Sequence, residues 1–152
     1  WKLLGELGYR HYEISNFAKP GKECLHNKVY WNLGQYIGFG PGAESSVGYR
    51  KAVSMRDSDT LDGFLRRPEQ TVSFLSEDET EEEYLLVSLR TASGIQKREY
   101  GERFSHSFDQ RYGAFIDKLE KDWYVNDDDH FSLTEAGFLF LDRIILELAM
   151  AI

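Results

Sequence analysis

Apolar residues recur at short, broken intervals in the first half of this chain and at regular helical intervals in the second. Leu3, Leu4 and Leu7 lie at helical spacing and stop at Gly8, which predicts a short helix closed by a glycine. Residues 9–14 alternate weakly and predict a strand. Ala18-Lys19-Pro20-Gly21-Lys22 is turn chemistry. Beyond it come Tyr30-Trp31 and the aromatic, glycine-rich residues 36–42. These stretches alone build no sizeable core, so this part is expected to pack against something upstream.

From residue 76 the pattern becomes regular. Ser76 followed three places later by Glu79 is a capping box, and Glu77, Asp78 and Glu79 sit at the positive end of the helix dipole. The helix they open is expected to bury Leu85, Leu86 and Leu89 and to end near Gly94. A short helix follows over 97–104. A longer one carries Phe108, Tyr112, Phe115, Ile116, Leu119 and Trp123. Residues 124–125 and 130–133 flank the polar turn 126–129 and predict a hairpin. Thr134 caps a last helix striped by Phe138, Leu141, Ile145 and Leu148. The order helix, helix, hairpin, helix is winged-helix-like, and the chain as a whole reads as α+β.

Charge divides the chain at the same place. It carries 18 basic and 26 acidic residues, a net of −8. Residues 1–76 hold ten basic and eight acidic side chains, a net of +2. Residues 77–152 hold eight and eighteen, a net of −10. We therefore expect two units, 1–76 and 77–152. Winged helices often bind DNA, but a DNA-reading face needs clustered Lys and Arg. Here the wing tip is Asp127-Asp128-Asp129, which repels phosphate, so no nucleic-acid partner is expected.

Hydrophobic residues make up 41% of the 152, a globular composition. A single cysteine, Cys24, excludes an internal disulfide framework and a self-supplied iron–sulfur cluster, which takes three or four thiolates. It fits a reducing, cytoplasmic setting. No apolar run approaches the roughly 20 residues of a membrane span. The chain starts at Trp1 without a signal-peptide pattern, and a longer parent protein is expected.

Three motifs in the first unit carry chemistry. In Tyr12-Glu13-Ile14-Ser15-Asn16-Phe17-Ala18, polar residues after a strand can end it, cap, or face a ligand. In His26-Asn27-Lys28-Val29-Tyr30-Trp31, an imidazole can ligate iron, and the aromatic rings offer flat faces to a macrocycle. Lys22, Lys28 or Arg50 could pair with propionates. Taken alone, a single His beside aromatic residues is more often a hydrogen-bonded structural residue than a ligand. Cys24 reads either as a second soft ligand or as a small buried hydrophobe. In Gly38-Phe39-Gly40-Pro41-Gly42-Ala43-Glu44-Ser45, glycines permit close backbone approach, but the spacing fits neither the dinucleotide fingerprint nor a P-loop.

Together, in this order and spacing, these motifs resemble the radical-SAM haem chaperone family HemW, a relative of oxygen-independent coproporphyrinogen III oxidase. The resemblance runs from GYRHYEISNFAKPGKECLHNKVYW through YIGFGPGAES and LRTASGI to FSLTEAGFLFLDRII, nearly the whole chain. It implies that residues 1–76 are the end of a radical-SAM α/β partial barrel and residues 77–152 a mostly helical, winged-helix-like C-terminal domain. It implies a four-iron cluster and S-adenosylmethionine in the complete protein, held by a CxxxCxxC motif that this chain lacks, so the chain alone is not a competent enzyme. By position, His26 becomes the haem-iron ligand, with Asn27, Tyr30 and Trp31 shaping its site. Gly38, Gly40, Gly42 and Ala43 would line a loop near S-adenosylmethionine or substrate. Glu44 stands where the family usually has His.

The implied function is binding haem and delivering it to apo-haemoproteins, with peripheral membrane contact through such clients. The alternatives are a porphyrin-forming coproporphyrinogen oxidase and an acidic protein-docking domain. This chain is also expected to self-associate.

Overall fold

The computed structural model describes residues 1–47, 53–56, 60–66 and 71–150. Helix α1 (Lys2–Glu6) closes at Gly8, whose φ of +81° suits glycine and lets Tyr9 N–H bond back to the Leu4 carbonyl. Strand β1 (Arg10–Glu13) then doubles back as β2 (Asn16–Ala18), pairing Arg10 with Ala18 and His11 with Phe17. The expected strand is present and ends at Glu13, and a tight turn at Ile14-Ser15 closes it into a hairpin with β2. The cause is Glu13, whose carboxylate accepts the Ser15 N–H and tightens the reversal.

Helix α2 (Leu25–Trp31) follows. Then β3 (Glu44–Val47), β4 (Val53–Arg56), α3 (Leu61–Arg66) and β5 (Thr71–Phe74) form an antiparallel three-stranded sheet, order β3-β4-β5, with one helix in its second connection. Tyr36 and Ser46 exchange two 2.9 Å backbone bonds and tie the glycine loop to β3.

The second half opens on α4 (Glu77–Ser88) with the expected box. Ser76 Oγ accepts from Glu79 N–H at 3.2 Å, and Glu79 Oε2 accepts from Ser76 N–H at 2.7 Å. The helix stops six residues before Gly94, because the Thr91 hydroxyl donates to the Ser88 carbonyl at 2.8 Å and turns the chain. Leu86, expected inside, is 39% exposed. Strand β6 (Ile95–Gln96) precedes α5 (Lys97–Phe104), whose bounds match the sequence pattern, and α6 (Phe108–Ile116).

Trp123 does not extend α6 as expected. The chain tightens after Ile116, and Trp123 ends a short 3-10 turn, Lys121–Trp123, at the foot of the hairpin. There its carbonyl accepts the Thr134 N–H at 2.9 Å. Strands β7 (Tyr124–Asn126) and β8 (His130–Leu133) form that hairpin, and β6 adds to β8 to give the order β6-β8-β7. The last helix is two, α7 (Glu135–Phe138) and α8 (Leu141–Ala149). Between them Phe140 leaves helical geometry at φ −117° and stacks on Trp123, centroids 4.1 Å apart.

The core lies in the second half, around Leu85, Tyr100, Phe108, Tyr112, Phe131 and Leu148. Among the described residues of the first half, only Leu33 is buried in that cluster, with Ile14 and Trp31 packed on its edge. Leu3, Leu25, Phe39 and Leu65 are each more than two-thirds exposed or close to it, at 67%, 77%, 86% and 71%. Among the described residues no helix is long and apolar enough to cross a membrane.

Candidate functional site

Helix α2 sorts its motif by spacing. His26 and Tyr30 are four residues apart and share one stripe; Asn27 and Trp31 share the next. On the first stripe, Tyr30 Oη lies 2.8 Å from His26 Nε2, and the two rings meet edge to face at 4.9 Å. Tyr30 in turn meets Tyr36 edge-on at 4.6 Å. Tyr36 is the residue that anchors the glycine loop to β3. The structure thus brings the His26 stripe to the base of the Gly38–Ala43 loop through one aromatic contact.

The second stripe faces the body of the protein. Trp31 packs on the core edge, and its indole Nε1 is buried with no hydrogen-bond partner. It lines a cleft of about 240 Å³ shared with His11, Tyr12, Lys28 and Thr91. Asn27 is half-buried. Lys28 stands 3.7 Å from Glu23 in a loose surface pair. Cys24, read above as a ligand or a buried hydrophobe, is exposed at the helix N-cap. Arg50 lies outside the described residues.

The end of α2 is set by backbone geometry. Leu33 takes φ +51°, unusual for a non-glycine residue, and is held there by burial at 6% exposure. Gly34 N–H then bonds the Val29 carbonyl at 2.7 Å. The loop beyond uses Gly40 at φ +114° and Gly42 at φ +70°. Ala43 N–H closes onto the Gly40 carbonyl at 3.0 Å, and Gly38 N–H onto Ser45 Oγ at 3.0 Å. Phe39 projects from this loop, 86% exposed, and Ile37 beside it is 63% exposed.

The first motif and the Leu-Arg-Thr stretch meet through backbone. Ile14 N–H donates to the Arg90 carbonyl at 2.8 Å, and Ala92 N–H to the Tyr12 carbonyl at 3.1 Å. Both motifs therefore join the two halves of the chain.

Sequence reasoning missed one constellation. Glu81, 1% exposed, receives hydrogen bonds from the Tyr100 hydroxyl and, at 2.6 Å, from the Tyr112 hydroxyl. Arg111 Nε stands at 3.2 Å and His106 Nε2 at 3.4 Å. Burial, then the bond to Glu81, pushes both phenols well above the ordinary tyrosine value, so they remain donors. The only sequence signal was Glu81 standing between helix positions that pack inward.

An exposed imidazole ranged with two phenols offers a ring-nitrogen ligand beside flat aromatic faces. That donor set fits a haem iron with one protein ligand. It does not fit an iron–sulfur cluster, because the chain has one thiol. Among the described residues no three His, Cys, Asp or Glu side chains gather as a metal site.

The fold and these motifs define a class. Over 99% of its length the chain matches 39% of the solved radical SAM enzyme coproporphyrinogen III oxidase (HemN) from Escherichia coli, with a TM-score of 0.68 at 14% identity. Residues 75–140 match the family HemN C-terminal domain.

Sequence relatives narrow the class. The chain is 35% identical over 144 residues to the heme chaperone HemW of Bacillus subtilis, covering 90% of this chain and 37% of the relative. It is 32% identical over 141 residues to that of Lactococcus lactis, covering 90% and 36%. It is 29% identical over 153 residues to that of Escherichia coli, covering 99% and 40%. The chain is HemW-like, its residues 75–140 match the HemN C-terminal domain family, and it spans two-fifths or less of the length of these relatives.

Proposed function

We propose that this chain serves a HemW-like protein that binds haem and delivers it to apo-haemoproteins. The observation that carries the reading is the exposed His26–Tyr30 pair on α2, one contact from the glycine loop. The relatives' designation as haem chaperones supports it over a porphyrin-forming oxidase or a bare docking domain.

In this reading His26 holds the iron and Tyr30 sets which ring nitrogen is offered. A phenol accepting from Nε2–H leaves the Nδ1 lone pair as the ligand; a phenol that rotates away releases Nε2. Trp31 fixes the helix against the core so that the ligand stripe stays outward, and Asn27 shapes the site beside it. Exposed Leu25, Ile37 and Phe39 supply apolar surface for a macrocycle. Haem bound here brings the iron and the redox chemistry, while this chain supplies ligand, orientation and apolar contact.

Residues 1–76 would then complete a radical-SAM barrel and residues 77–152 form a winged-helix-like C-terminal domain. The cluster and S-adenosylmethionine belong to the complete protein, which we place in the cytoplasm, meeting membranes through its clients.

Haemin titration of this chain beside His26→Ala, followed by the Soret band, tests the reading. A saturating shift at one equivalent that the variant loses is expected. Equal binding by both proteins refutes ligation by His26.

A further inference from the structure

Helices α4 and α8 form a groove that the described residues leave open. Each lines it with positions i, i+3, i+4 and i+7: Glu79, Glu82, Glu83 and Leu86 on α4; Asp142, Ile145, Leu146 and Ala149 on α8. Leu75 adds to its floor, and the volume is about 490 Å³. Leu86 is 39% exposed and Leu146 62% exposed, although both lie on helices whose other faces build the core. An apolar floor between two helical stripes is the shape that receives a third helix. The rim is anionic: Glu82 and Asp142 are exposed, and Glu79 carries the same sign.

We propose that this groove docks a cationic amphipathic helix of a partner protein. Apolar residues at i, i+3, i+4 and i+7 would fill the floor between Leu86 and Leu146. Lysines or arginines flanking them would meet Glu79, Glu82 and Asp142. Charge selects this occupant over a second copy of the chain. A symmetric pair would set each rim against its own image and oppose carboxylate to carboxylate. The proposal is separate from the haem reading, since it uses no residue of α2.

Fluorescence anisotropy tests it on the 152-residue chain. The probe is a labelled Leu/Lys peptide with leucines at i, i+3, i+4 and i+7, beside a control with Glu for each Lys. We expect saturable binding of the Lys peptide, none of the Glu peptide, and weakening as salt rises.

Leu146→Asp and the double variant Glu82→Lys/Asp142→Lys should each weaken binding about tenfold or more. Asp128→Lys/Asp129→Lys makes the same charge change on the β7–β8 hairpin and should stay within about twofold. These positions are exposed, and circular dichroism verifies that each variant folds. If the hairpin variant loses as much as the groove variant, the attraction is general and the site is refuted. Equal binding by Leu146→Asp refutes the floor. Sedimentation showing a dimer that Leu146→Asp dissolves assigns the groove to a second copy instead. Loss of binding in a longer chain that carries the relatives' additional length assigns it to that length.

Discussion

Tyr30 Oη sits 2.8 Å from His26 Nε2, one helical turn away on the same exposed stripe. The spacing that makes the pair is four residues, so α2 itself sets the imidazole's orientation. Where Nε2 carries the proton it donates to the phenol and Nδ1 keeps its lone pair; where the phenol donates to Nε2, the proton sits on Nδ1, so this bond is coupled to the tautomer.

Tyr30→Phe should therefore release the ring. The two neutral tautomers of His26 are expected to become more evenly populated, read from long-range proton–nitrogen NMR correlations at neutral to basic pH. Because the pair is exposed, stability should change by no more than about 0.5 kcal/mol. Unchanged tautomer populations would show that Tyr30 does not orient His26.

Two helical glycines should respond oppositely to alanine. At Gly113 in α6 a Cβ meets nothing within 4 Å, so Gly113→Ala gains helix propensity, about 0.8–1 kcal/mol. At Gly137 in α7 a Cβ would collide with the Trp123 carbonyl oxygen and stand 2.9 Å from its carbon. Backbone there cannot yield without opening the hairpin foot. Gly137→Ala should thus cost more than the about 1 kcal/mol that propensity returns. Urea unfolding of both variants measures this; a stabilised Gly137→Ala would mean the contact relaxes freely.

Local chemistry accounts for what the sequence disclosed. The box at Ser76 and Glu79, the helix over 97–104, the hairpin around residues 126–129 and the cap at Thr134 all depend on neighbours within a few residues. The misses depend on distant ones. β6 is two residues long and exists because β8 accepts it. The break at Phe140 depends on Trp123, seventeen positions earlier, and the Glu81 cluster on Tyr100, Tyr112 and Arg111. Strands β3 to β5 draw on one another rather than on any alternating apolar pattern. At the site, His26 and Tyr30 were legible as a motif. Their mutual hydrogen bond, Trp31 facing inward and the link through Tyr36 needed coordinates.

Glu81 anchors the second half. With the carboxylate removed, Tyr100 and Tyr112 lose their acceptor in a buried setting and Arg111 loses its counter-charge. Glu81→Ala leaves two buried hydroxyls without this acceptor, at about 1–3 kcal/mol each, and should cost about 2–5 kcal/mol. Tyr112→Phe removes one donor of several and should cost about 1–3 kcal/mol. Chemical denaturation checks both; a loss below about 1 kcal/mol for Glu81→Ala would mean that the core closes without the network.

The β7–β8 hairpin should report acid directly. Asp127 Oδ1 accepts the His130 N–H at 2.8 Å and the Asp129 N–H at 2.9 Å, and stands 2.9 Å from His130 Nδ1. The His130 backbone bond first, then that of Asp129, holds its carboxyl below the ordinary 3.8. A carboxylate depressed by folding contributes stability that is fully present above its unfolded value and disappears as pH falls through its folded value. The hairpin turn should therefore stay closed at pH 5 and loosen only in stronger acid, below about 3.8. Amide shifts of Asp129 and His130, followed from neutral pH downward, should move together with a midpoint under that value. In Asp127→Ala the same amides should lack that step and exchange faster even at neutral pH. A midpoint at or above 3.8 in the unsubstituted chain would show that the turn does not favour the charged carboxylate.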